Sequence, residues 1–145
     1  MTAYARRLAD KRGFTLVELV VIIMIIGVLT MIAVPAFLAQ RARADDSDAQ
    51  VTIRTAAIAL VTHLVENETF EATLPELVEI DPALGAASRF LAVSGDSDEF
   101  TVDERSRSGT TFTYVHAATG IVTRVCSRPG HGLCRENPDA RGNRW

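Results

Sequence analysis

The chain has 145 residues, with 15 Lys and Arg against 18 Asp and Glu and a formal charge of −3; that length suffices for one small domain beside a long helix. Residues 1–13 hold four basic side chains and one acidic one, so the remainder carries 11 basic and 17 acidic residues, a formal charge of −6. An acidic body argues against a dedicated nucleic-acid binder, because neutralising phosphates needs a basic surface.

The first segment is short and basic, with Arg6, Arg7, Lys11 and Arg12 against Asp10, and it stops at Gly13. Phe14 follows, then Glu18, and from Leu19 to Ala39 no residue is charged. Such a run meets the roughly 20 residues a helix needs to cross hydrocarbon. A carboxylate deep in a bilayer costs roughly 2.5–3.5 kcal/mol, so Glu18 is a functional residue by default. The leader and the positive-inside tendency put the N-terminus in the cytoplasm and the chain after about Gln40 outside, a bias that Arg41 and Arg43 weaken slightly. A secretory signal peptide has an apolar stretch of only about 7–15 residues, although the Ala-rich stretch Ala36 to Ala44 could offer a cleavage site. A plain signal-anchor helix explains the length but neither the Gly13-Phe14 junction nor the placement of Glu18.

From Lys11 to about Gln40, K-R-G-F-T-L-V-E followed by an apolar helix with Gly27 and Pro35 resembles type IV pilins and the pseudopilins of type II secretion. The close resemblance covers about a quarter of the chain. It implies that a prepilin peptidase cuts between Gly13 and Phe14 and methylates the new amine of Phe14. It also implies that Glu18 meets the amine of a neighbouring subunit during assembly. Pro35 lacks an N–H, and Gly27 weakens a helix by roughly 1 kcal/mol relative to Ala, so both are expected as a break or kink. In relatives of this kind the stretch between such a Gly and Pro can lose helical structure on leaving the bilayer.

The helix is expected to continue to about Glu66, on the order of 80 Å at about 1.5 Å per residue. Past the charged stretch Arg41 to Asp48, Ile53, Ala57, Leu60 and Leu64 form one apolar stripe. Val51, Ile58 and Val65 recur every seven residues and are expected to broaden the buried side. Asn67 to Gly95 reads as loop with one short helix, capped by Thr73, opened by Pro75 and Glu76, and broken by Asp81-Pro82 and Gly85. Asn67-Glu68-Thr69 has the form of a glycosylation acceptor, though a helix-end turn suits it better.

Beyond it, alternation at Phe100 and Val102, at Phe112 and Tyr114, and at Ile121, Thr123 and Val125 predicts antiparallel strands, with a further one from Arg89 to Val93. Gly95, Gly109 and Gly120 punctuate them as turns. Cys126 and Cys134 read as a disulfide in an exported domain. The competing zinc reading has only His131 as a third ligand, where a structural site wants four. Asp96, Asp98 and Glu99 are a weak calcium candidate, set against a solvated hairpin turn. His63, His116 and His131 belong to no catalytic motif, and neither a catalytic residue nor a cofactor is expected. Arg124, Arg128, Arg135, Arg141 and Arg144 with Trp145 could touch DNA, although a solvated tail is the plainer reading.

The expected fold is α+β: a long N-terminal helix whose amphipathic second half packs on a sheet of three to four strands. Residues 1–13 form a cleaved leader, 14–40 the membrane and filament-core helix, 41–66 its amphipathic continuation, and 67–145 a loop and sheet head closed by the disulfide. The resemblance implies a homo-oligomeric type IV pilus serving adhesion, motility or DNA uptake, built by assembly machinery in the inner membrane. The chain would be single-pass in the cytoplasmic membrane and then extracellular. The alternative is a pseudopilin forming a short pseudopilus, and after it a signal-anchored binding module or enzyme.

Overall fold

The structure, a computed structural model, describes residues 13–87 and 90–145. The basic leader residues through Arg12 and the expected strand start at Arg89 lie outside the described residues. The chain divides into two compact units, residues 1–38 and Ala39–Trp145.

Helix α1 runs Leu16–Asn67 and passes through Gly27 and Pro35 without losing helical assignment. Proline leaves the Met31 carbonyl without its usual donor. Upstream, the Thr30 hydroxyl donates to the carbonyls of Ile26 and Gly27 at 2.9 and 3.0 Å. From Gly13 to Arg41 every described residue is exposed.

In the second unit the α1 face carrying Ile53, Ala57 and Leu60 is buried, with Leu64 packed beside it, as the spacing predicts. Val51, Ile58 and Val65 are instead exposed, at 58, 68 and 78%. With 3.6 residues per turn they lie about 120–160° round the helix from Ile53. The buried face is widened by Ala49, Ala56 and Ala59. Asn67 ends α1, its side-chain amide donating to the His63 carbonyl at 3.2 Å.

Helix α2, Leu74–Ile80, begins as read, with Thr73 at its N-cap and Pro75 in its first turn. The Thr73 N–H and hydroxyl both donate to Glu76. Gly85 does not end the helical segment; it lies within a further single turn, α3, Leu84–Ala87. The Asp81 carboxylate accepts the Ala83 N–H at 2.9 Å and so starts that turn.

Four antiparallel strands follow in sequential order: β1 Leu91–Gly95, β2 Phe100–Arg105, β3 Thr111–His116 and β4 Val122–Cys126. Phe100, Val102 and Phe112 are buried under the alanine face of α1, and Phe100 stacks on His116 at 5.0 Å between ring centres. Strand β4 is turned the other way from its expected face. Phe112 pairs with Cys126, Tyr114 with Arg124 and His116 with Val122, so Ile121 and Val125 face outward, 63 and 38% exposed. A one-residue shift in parity exchanges the faces of a strand. Here the inward places go to Cys126, joined to Cys134, and to Arg124, whose guanidinium lies 5.6 Å from the Trp145 ring centre.

The solvated tail holds for residues 135–142, which are exposed, but not for its end. Trp145 and Asn143 are buried, the Asn143 side-chain oxygen accepts the Arg124 N–H, and the Arg144 N–H donates to the Arg124 carbonyl at 2.8 Å. Gly95 ends a strand and does not make a turn; a side chain there would meet the Phe70 carbonyl.

Glu104 points from β2 into the core, and its Oε2 has no hydrogen-bond partner among the described residues. Burial pushes its carboxyl from the ordinary 4.5 up to about 7. An unfolded chain therefore ionises it near pH 4.5, while the folded chain holds the proton to about pH 7. The stability it contributes is full below the lower value and lost as pH rises through the upper one, on the order of 2 kcal/mol. Thermal unfolding of the full chain should show a lower Tm at pH 8 than at pH 5, with a smaller drop in Glu104→Gln. An equal drop in the two proteins would remove Glu104 as the cause.

Candidate functional site

The start of α1 gathers the residues singled out for processing and assembly. Gly13 and Phe14 precede the helix, and Phe14 is 72% exposed. Thr15 sits at the N-cap. Its N–H donates to Glu18 Oε2 at 3.0 Å and its hydroxyl donates to the same oxygen at 2.8 Å. In return the Glu18 N–H donates to the Thr15 hydroxyl at 3.2 Å. The first four N–H groups of a helix have no intrahelical partner, and this reciprocal pair satisfies two donors at the junction. A carboxylate in the first turn also lies against the positive end of the helix dipole. Thr15 is a functional candidate that the sequence reading passed over. Its signal was present as the capping box T-x-x-E over residues 15–18.

Glu18 therefore has local bonds as well as a charge. Its carboxylate has four lone-pair sites, and two donors occupy one of its oxygens. Among the described residues the other oxygen accepts no hydrogen bond, and it could take a cation. Gly27 and Pro35 lie in the first, apolar part of α1, where the described residues are exposed.

The remaining candidates are dispersed. Cys126 and Cys134 form a disulfide, and Cys134 is buried. Asp96 serves its own turn: its Oδ1 accepts the N–H groups of Asp98 and Glu99 at 2.9 and 3.0 Å, which holds its carboxyl below the usual range. Among the described residues no three His, Cys, Asp or Glu side chains converge as metal ligands. His63 bonds the Thr69 carbonyl through Nδ1, His116 stacks in the core, and His131 lies in the disulfide loop. Trp145 is buried, with the Arg54 and Arg124 guanidiniums 5.8 and 5.6 Å from its ring centre, so it does not offer a free face to a base.

A bare apolar helix with a capped acidic start, followed by a disulfide-closed α+β unit, fits a subunit anchored in a membrane by its N-terminus. A family model described as the prokaryotic N-terminal methylation motif matches residues 8–34. Over 60 residues, 41% of this chain, the sequence is 36% identical to the type IV major pilin protein PilA of Myxococcus xanthus (strain DK1622). Over 77 residues, 50% of this chain, it is 39% identical to the type II secretion system core protein G of Escherichia coli (strain K12). The chain is thus similar to a type IV pilin and to a type II secretion core protein, and the family model places the methylation motif in its N-terminal segment. The aligned stretches span 27% and 53% of the length of those two relatives.

The cap makes a prediction about the helix start. Thr15→Ala should weaken it by about 1 kcal/mol, Glu18→Ala should weaken it too, and Glu18→Gln, which can still accept, much less. Hydrogen exchange at the Glu18 and Leu19 amides of the full chain in micelles reads this directly. Exchange unchanged in both alanine variants would show that the pair does not hold the helix end.

Proposed function

We propose that this chain is a structural subunit of an envelope filament, made as a precursor, cut between Gly13 and Phe14, methylated on Phe14, and polymerised through α1. The observation that carries the reading is the methylation-motif match over residues 8–34, coinciding with the first part of α1, where every described residue through Arg41 is exposed. Before assembly the apolar run sits in the cytoplasmic membrane with its basic end inside. After assembly, copies of the same helix cover one another.

The leading form is a type IV pilus, with adhesion, motility or DNA uptake as the outlets of such a fibre. A pseudopilus is the second reading, supported by the match to a type II secretion core protein along half of this chain. In either, a prepilin peptidase and an inner-membrane assembly machine act on the chain, and the role is structural, with no catalytic step.

Glu18 is the assembly residue. Its carboxylate pairs with the amine of Phe14 on a neighbouring copy and sets the axial stagger, while the Thr15 bonds hold it in place. Removing the charge spares insertion, since an apolar side chain costs less at this depth. It leaves the neighbour's amine unpaired in an apolar filament core, which is strongly unfavourable. In cells producing filaments from this chain, Glu18→Ala and Glu18→Gln should both accumulate in the membrane and yield few or no filaments. Filaments at wild-type yield from Glu18→Gln would assign Glu18 to capping alone and remove its assembly role.

A further inference from the structure

In the second unit, Ala42 and Arg43 of α1, Ser108 of the β2–β3 turn, and Arg128, His131 and Gly132 of the disulfide loop help line an open cavity of about 370 Å³. That size falls in the range of small-ligand pockets, roughly 300–1,000 Å³. Its chemistry is one-sided. Arg43 and Arg128 are permanently charged and exposed, and His131 stands beside them. Arg128 uses Nη1 to bond the Ser108 carbonyl at 3.3 Å, which fixes the guanidinium and leaves its other N–H groups to donate.

Two carboxylates lie near. Asp46 is buried behind Gly132, with both oxygens occupied by the Ser108 hydroxyl and the Leu133 N–H. Glu136 flanks Gly130 through its Cβ. Neither contributes to the lining, so the opening presents cations to whatever enters.

The position along the chain identifies the ligand. The uncharged run ends at Ala39, and Arg43 follows one helical turn later, about 6 Å along the axis. For a chain anchored by that run, one turn past the hydrocarbon edge is the depth of lipid headgroups. Guanidinium groups bind phosphate oxygens through paired, charge-assisted hydrogen bonds. Basic residues on the outward side also run against the usual loop bias, which a local anionic partner accounts for.

We propose that this cavity binds the phosphate of an anionic phospholipid headgroup through Arg43 and Arg128. The inference rests on the membrane-anchored stage of the proposed function, and its test reads lipid on the unassembled chain, so filament yield and lipid selectivity can fail independently.

Native mass spectrometry of the full chain, released from nonionic detergent with equal phosphatidylglycerol and phosphatidylcholine of matched tails, measures it. The wild type should retain phosphatidylglycerol over phosphatidylcholine by about ten-fold, the size of one charge-assisted hydrogen bond. Arg43→Gln with Arg128→Gln should bring the ratio to about one, while Arg141→Gln, on the far loop, should keep it. Arg43→Gln alone alters only an exposed helix position and should lose part of the preference, which guards against misfolding of the double variant. Millimolar inorganic phosphate should not displace the lipid. Equal retention of the two lipids by the wild type, unchanged selectivity in the double variant, or full displacement by inorganic phosphate would each overturn the assignment.

Discussion

Everything from Gly13 to Arg41 is helix or helix start without protein cover, and nearly all of it is apolar. Burying a Leu, Ile, Val or Phe side chain is worth about 1.5–3 kcal/mol, so a run of this length cannot stay in water. The chain has no second layer of its own to lay over it among the described residues. In the proposed function lipid covers this run before assembly and other copies cover it afterwards. Pro35 frees the Met31 carbonyl, and in an apolar setting such a group is tolerated where neighbouring helices, hydroxyls or water satisfy it.

The change at residues 41–48 marks where this demand ends. Past it, α1 has a face of Ala49, Ile53, Ala56, Ala57 and Leu60 that the sheet covers through Phe100, Val102 and Phe112. Asp46 ties this part of the helix to distant loops, accepting from Ser108 on one side and from Leu133 on the other. A buried carboxylate is tolerated because both oxygens are satisfied; leaving it unpaired would cost several kcal/mol. Gly132 belongs to the same lock. It has a φ of +58°, and any side chain there would overlap the Asp46 carboxylate. The disulfide then closes the loop that Gly132 belongs to, and Trp145 caps the sheet edge by donating to the Val125 carbonyl at 2.8 Å.

Much of this was legible in the residues, for identifiable reasons. Helical periodicity at Ile53, Ala57, Leu60 and Leu64 gave the buried stripe, and Thr73-Leu74-Pro75-Glu76 gave the start of α2. The strands were legible from alternation, since each is half-buried. Failure came where a polar residue took an inward place. Arg124 and Cys126 face the core for reasons set by Trp145 and Cys134, and alternation read on apolar residues alone turned β4 over. Val51, Ile58 and Val65 were misread because a seven-residue spacing defines a face without saying which one, and alanines held the inward positions. Asp46 was illegible in principle, its partners lying 62 and 87 residues away. Thr15 was legible as the start of the T-x-x-E capping box, whose acid is the same Glu18 that the charge pattern marks.

The account stands on one covalent event, the proposed cut that places Phe14 at the head of α1. Intact-mass analysis of the chain taken from native membranes or filaments tests it most directly. The predicted mass is that of residues 14–145 with the disulfide formed and one methyl group added. A chain beginning at Met1, or one beginning beyond Ala36, would contradict the account.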